Sequence, residues 1–281
     1  MIKRIVTIQD ISCVGKCSLT VALPIISAMG VETAILPTAL LSTHTMFPEY
    51  TKIDLEEQLI PIAEMWQKND VKFDAIYTGY LGSIGEIEKT IAIIDRFREK
   101  DTVVFTDPVM GDHGKLYGGF SPDYAEQNMK LCAKADLIVP NITEACLMTG
   151  TEYRTSYGED YLYELVSRLC EMGAKKVVIT GASLSEGKTG VYGLDAASGE
   201  TFAYQNEKVS ASYHGTGDLF SSVAAGAMVR GIDVRSAMKI AADHTAETIR
   251  VTMKDPGNPW YGVAFESTIP DLIRRLHEFG C

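Results

Sequence analysis

Short runs rich in β-branched residues alternate with amphipathic stretches along almost the whole 281-residue chain, and no other feature restricts the fold as much. KRIVTIQ (3–9), VETAILPT (31–38), DAIYTG (74–79), TVVFTD (102–107), DLIVP (136–140) and KKVVIT (175–180) read as strands. Residues 18–29, 54–68 and 86–99 read as helices, and further helical stretches separate the later strands. Apolar strands separated by helices predict a mostly parallel sheet covered on both faces. The stretch TGVYGLDAASGETFAYQ (189–205) alternates around a Ser-Gly turn and predicts an antiparallel hairpin near a sheet edge. Beyond it the pattern is helical, over 218–230, 234–252 and 266–277. With no Pro/Ser linker and no internal repeat, one domain over 1–281 is expected.

A net charge of −11 without a Lys/Arg block argues against nucleic acid or an anionic membrane as partner. An anionic ligand would have to be held by backbone donors or a metal ion. MIKRIVTIQD has too short an apolar run for a signal peptide, and no stretch has the length of a spanning helix, so a cytoplasmic setting is expected. The cysteines at 13, 17, 132, 146, 170 and 281 lack zinc spacing and are expected to be reduced thiols.

In sheets of this kind ligands gather at the carboxyl ends of the strands. Polar or glycine-containing stretches fall there: Asp10-Ile-Ser12, Thr78-Gly-Tyr80, Asp107 to Asp112, Asn141 to Glu144, and Thr180-Gly181. The stretch ASLSEGKT (182–189) nearly spells a phosphate-binding loop, but GVYGLD follows it where a helix is required, so it reads as a turn.

SYHGTGD (212–218) precedes an apolar helix. Gly215 and Gly217 can turn successive amides toward one point, and the helix start adds its dipole. A carboxylate at Asp218, beside a place suited to negative charge, fits a base that takes a proton from a hydroxyl during phosphoryl transfer. Asn141-x-x-Glu144 places an amide and a carboxylate one helical turn apart. That spacing suits oxygen ligands for a metal and equally a capping box. Asp107 and Asp112 bracket a Pro/Gly turn.

These residues carry a resemblance. With IQDISCVG (8–15), LSTHT (41–45), TGYLGS (78–83), DPVMGD (107–112), VPNITE (139–144) and HGTGD (214–218), the chain resembles the ribokinase-like small-molecule kinases, and within them the vitamin B6 kinases, over nearly its whole length. The resemblance implies an α/β three-layer sandwich that transfers phosphate from ATP to the hydroxymethyl group of a B6 vitamer. It makes Asp218 the base, and gives Gly215, Thr216 and Gly217 the anion hole. Asp107, Asn141 and Glu144, with Asp112, would organise Mg²⁺ and the ATP phosphates, and Thr180 would contact the nucleotide. Asp10, Ser12, His44, Thr45, Met46 and Tyr80 would line the pyridine pocket, and residues 112–121 would form a flap over the phosphates. A homodimer and a monovalent cation are also implied. Asp10 stands where the B6 kinases typically carry serine, which keeps a hydroxymethylpyrimidine kinase open as an alternative. A non-catalytic binding protein on the same fold is the alternative of another class.

Overall fold

The computed structural model describes residues 2–211 and 213–279. Ser212, at the start of the glycine-rich stretch, and the Cys281 thiol lie outside the described residues. The first elements are β1 (Arg4–Val14), α1 (Leu19–Ala28), β2 (Glu32–Thr43), β3 (Lys52–Asp54), α2 (Leu59–Lys68), β4 (Ala75–Thr78) and α3 (Ile84–Phe97). They are followed by β5 (Val103–Thr106), β6 (Gly111–Asp112), β7 (Lys115–Leu116), α4 (Tyr124–Cys132), β8 (Leu137–Ile138), α5 (Ile142–Thr149) and α6 (Glu159–Glu171). The chain continues through β9 (Lys176–Ala182), β10 (Lys188–Asp195), β11 (Thr201–Glu207), α7 (Thr216–Val229), α8 (Val234–Lys254) and α9 (Ile269–Glu278). Nine strands order as β11-β10-β9-β8-β5-β4-β1-β2-β3 in one sheet. Pairs β1/β2, β5/β8 and β8/β9 are parallel, and β9/β10, β10/β11 and β2/β3 are antiparallel. The expected mostly parallel sheet with an antiparallel hairpin is therefore present.

By internal contacts the chain divides into two compact units, residues 1–77 with 208–281, and residues 78–207. In the first unit α1 packs on β1 and α7, and α7 packs on α8. Ile5, Val6, Ile8, Val21, Ile25, Leu219 and Val223 are buried there, which gives this unit its own core. In the second unit α3, α4, α5 and α6 pack in succession. Ser83 starts α3 by accepting from the Glu86 amide, and Ile87, Ile93, Ile94 and Phe97 recur at helical spacing and are buried.

The structure corrects several boundaries. Residues 54–68 were expected to be one helix. Instead Lys52–Asp54 pair with Ala39–Leu41 as β3, and the helix begins at Leu59. Pro61 falls in the first turn of α2, where its missing N–H is tolerated. β1 runs on to Val14, past Asp10, because a register shift between Gln9 and Ile11 lets the pairing continue. The segment after β9 leads into β10 and not into a helix, as expected for a turn over 182–189.

His244 on α8 is fully buried, and among the described residues neither ring nitrogen has a hydrogen-bond partner. Burial is the largest cause that lowers its pKa, from 6.5 to about 4, with Arg275 adding to it and Asp271 opposing. Below pH 6.5 the unfolded chain takes a proton that the folded chain refuses until about pH 4. Stability should therefore fall as pH drops through that window, by about 3 kcal/mol from this group at its lower end. Urea unfolding from pH 7 to 4 should show a shallower decline for His244→Leu than for the parent chain. Parallel declines would mean that His244 is not buried as a neutral ring.

Candidate active site

The first unit carries the glycine-rich turn. Gly215 precedes α7 with φ +81°, and a Cβ placed on it would meet the Lys16 carbonyl oxygen. Only glycine satisfies both the left-handed backbone and that approach. α7 then starts at Thr216, two residues before the expected 218, so Asp218 lies on its first turn. The opening amides of a helix have no intrahelical acceptor, and Gly215 at the N-cap brings no side chain to cap them. The amides of Thr216, Gly217 and Asp218 thus form a donor set at the positive end of the dipole. Gly217 is exposed and outside the left-handed region, so its value is openness rather than backbone freedom. Thr216 turns its hydroxyl onto the Tyr213 carbonyl at 3.1 Å.

Asp10 and Ser12 lie within β1. Asp10 is only 6% exposed, and its carboxylate accepts from the Ser18 hydroxyl at 2.6 Å and from Ser12 at 3.4 Å. Burial outweighs these bonds and raises its pKa. Lys16 is not its partner, because the Lys16 ammonium pairs with Glu266 at 2.8 Å. The Cys17 thiol is pushed far up by burial and then by the carboxylates of Asp218 and Asp10. One buried thiol thus feels both acids, and its proton stays on. His44 is buried, while Thr45 and Met46 beside it are exposed.

The second unit carries the carboxylate cluster. Asn141 and Glu144 form a complete capping box at the start of α5. Glu144 accepts from the Asn141 amide at 2.8 Å and from the Met110 amide at 3.1 Å, and the Asn141 side chain donates to the Gly111 carbonyl at 2.9 Å. Both ends of the Asn141 amide are thus engaged within the chain, holding the 107–112 turn against α5. Asp107 and Glu144 are both buried, and burial followed by the Asp107 charge raises the Glu144 pKa well above its usual range. Two neighbouring buried carboxylates are a costly arrangement that a divalent cation relieves, so this donor set fits Mg²⁺. Asp112 is half exposed and takes the His113 amide at 2.7 Å. Thr180 bridges in parallel to Asn141 at the end of the sheet. The segment expected to be a flap is a two-strand hairpin, β6 and β7, followed by turns. Phe120 stacks on Tyr124 at 3.9 Å and tilts toward Tyr80 at 5.7 Å. Gly114 donates to the Thr143 hydroxyl at 2.9 Å.

Sequence reasoning passed over Ser18, His214, Trp260 and Tyr261. His214 sat inside a motif already quoted, whereas Ser18 lies beyond the quoted motifs and no local signal marks it as the partner of Asp10. For the two aromatics no local signal existed.

A mostly parallel sheet with an antiparallel hairpin, and a left-handed glycine feeding a helix that carries a carboxylate on its first turn, are what a ribokinase-like phosphotransferase would show. The chain belongs to the phosphomethylpyrimidine kinase family, whose model matches residues 23–259. A Bacteroides thetaiotaomicron protein crystallised with pyridoxal, under the name phosphomethylpyrimidine kinase, superposes with a TM-score of 0.91 at 34% identity, covering 97% of this chain and 96% of that one. The pyridoxal kinase of Lactobacillus plantarum is similar with a TM-score of 0.90 at 30% identity, over 99% of both chains. The pyridoxal kinase of Arabidopsis thaliana is 26% identical over 280 residues, covering 97% of this chain and 88% of the relative. The protein is an ATP-dependent small-molecule kinase. Among the described residues no helix is long and apolar enough to cross a membrane.

Gly215→Ala should destabilise the fold by about 1–3 kcal/mol through the strained backbone alone, and the Lys16 contact adds to that. Gly217→Ala meets nothing within 4 Å of its Cβ and should leave thermal stability nearly unchanged. Paired thermal melts check this, and equal losses would remove the special place of Gly215.

Proposed function

We propose that the chain phosphorylates the 5′-hydroxymethyl group of a B6 vitamer from Mg-ATP. The position of Asp218 on the first turn of α7, next to amides without intrahelical acceptors, is the observation that carries the kinase chemistry. The names of the similar proteins, and the crystal form with pyridoxal, support the vitamer as the acceptor.

In this reading the Asp218 carboxylate takes the hydroxyl proton as the alcohol oxygen attacks the γ-phosphorus. The bond from that phosphorus to the bridging oxygen breaks, ADP leaves with the electron pair, and the proton passes from Asp218 to solvent. The amides of Thr216, Gly217 and Asp218 offer hydrogen bonds to the charge spread over the transferring group. Bound Mg²⁺, which Asp107 and Glu144 would hold, would neutralise phosphate charge. Asn141 would keep Glu144 in place for that task, and Thr180 and Asp112 are the proposed contacts to the nucleotide. Ser12, Thr45, Met46 and Tyr80 are the proposed pocket contacts. The free thiols of the described cysteines support a reducing, cytoplasmic setting, and the family resemblance supports a homodimer.

The family description favours a second reading, in which the acceptor is a hydroxymethylpyrimidine. ADP release measured across pyridoxal, pyridoxamine, pyridoxine and hydroxymethylpyrimidine separates the two. A B6 vitamer should give the highest kcat/KM, and a clear preference for the pyrimidine would replace the first reading with the second.

Asp10 should bear on the choice of vitamer. Its buried carboxylate, held by the Ser18 and Ser12 hydroxyls, suits a ligand with a protonated nitrogen. A charge-assisted hydrogen bond contributes about 1.5–3 kcal/mol. Asp10→Ser should therefore lower kcat/KM for pyridoxamine relative to pyridoxal by roughly 10- to 150-fold. Equal changes for both vitamers would mean that Asp10 supports the pocket without selecting its occupant.

A further inference from the structure

His44 lies just beyond β2, 2% exposed, with both ring nitrogens committed inside the protein. Nδ1 accepts from the Met46 amide at 3.2 Å and is therefore unprotonated. Nε2 then carries the hydrogen and donates it to the Tyr261 carbonyl at 3.0 Å, across 217 residues of sequence. One tautomer satisfies both bonds. The same ring lies 4.4 Å from the ring of His214, the residue immediately before Gly215, and 4.9 Å from Phe47. Trp260 leans on Phe47 at 4.7 Å while remaining 59% exposed.

The segment that follows α8 is tied down a second time. Glu266 pairs with Lys16, and the Lys16 stem occupies the place a Cβ on Gly262 would need. The Lys16 carbonyl is the group against which Gly215 packs. Residues 260–266 therefore reach the glycine-rich turn by two routes, through His44 and His214 and through Lys16. All of residues 260–266 lies beyond the family match, which ends at residue 259.

We propose that His44 is a positioning residue: a single-tautomer strut that ties the Trp260–Tyr261 segment to the Gly215–Asp218 turn through the ring of His214. The proposal rests on the kinase reading of that turn, but not on which ring alcohol is the acceptor. Gly215 reaches its left-handed conformation easily and leaves it as easily, so the turn takes its fixed position from what packs around it. A displacement of about 1 Å at a reacting group lowers rate roughly 10²-fold, whereas a planar ligand bound by stacking tolerates it. His44 has no hydrogen-bonding atom left for a ligand unless it releases one of its two bonds.

The test uses His44→Phe, which keeps an aromatic ring and removes both hydrogen bonds. It should lower kcat about 10- to 100-fold and leave the pyridoxal Kd, measured without nucleotide, within about threefold. His214→Ala removes the other end of the strut and should show the same split, which serves if His44→Phe does not fold. A second readout needs no substrate. The chain has two tryptophans, Trp66 and Trp260, so in a Trp66→Phe background the emission reports Trp260 alone. His44→Phe should shift that emission to the red and open it to an aqueous quencher. A red shift in a chain inactive on every ring alcohol tried would support the strut while refuting the proposed substrate. A tenfold weaker pyridoxal Kd at unchanged kcat would make His44 a substrate ligand and overturn the proposal, as would unchanged emission with unchanged kcat.

Discussion

No side chain fits between the Gly215 Cα and the carbonyl oxygen of Lys16. That close approach brings the segment after β1 against the start of α7, and with it Asp218 and the amides of the first helical turn. A larger residue at 215 would have to move either the turn or the chain at Lys16, and both positions are further fixed by Glu266 and by His214 on His44. The placement of Asp218 and of the first amides of α7 thus hangs on one backbone contact that only glycine permits.

Electrostatics explain how a chain with a net charge of −11 can handle polyphosphate without a basic patch. Positive potential at the glycine-rich turn comes from helix amides, which cannot be titrated. The buried acids are divided between the units: Asp10 is held by hydroxyls, and Asp107 and Glu144 lie together behind a capping box. The pKa of Glu144 is raised by burial and by Asp107, a repulsion that the proposed divalent cation would relieve. The capping box and the metal reading are therefore compatible. The same backbone bonds that start α5 hold the carboxylate where a cation would need it.

What could be read from the sequence was local. The strand–helix alternation, the hairpin over 189–205 and the demands on Gly215 each rest on neighbouring residues, and the structure shows the elements they predict. Where a strand runs past a charge the reading stopped short. β1 was ended before Asp10, since nothing nearby in sequence indicates that Ser18 would satisfy that carboxylate. β3 has no sequence signal, and only its last residue, Asp54, falls in the expected helix, because Lys52–Asp54 owe their conformation to pairing with Ala39–Leu41 rather than to their own propensity. The His44–Tyr261 bond was out of reach for the same reason, being a contact between distant residues that no periodicity encodes.

In the proposed function the turn ending in Asp218 performs the chemistry and leaves recognition of the acceptor to other residues. Asp218→Asn tests it most directly, with pyridoxal Kd measured by fluorescence and phosphoryl transfer measured at saturating ATP and pyridoxal. The expected kcat is lower by roughly 10²–10⁴, the usual contribution of a positioned base, with Kd within about threefold of the parent. A variant that keeps near-parent kcat at neutral pH would contradict it.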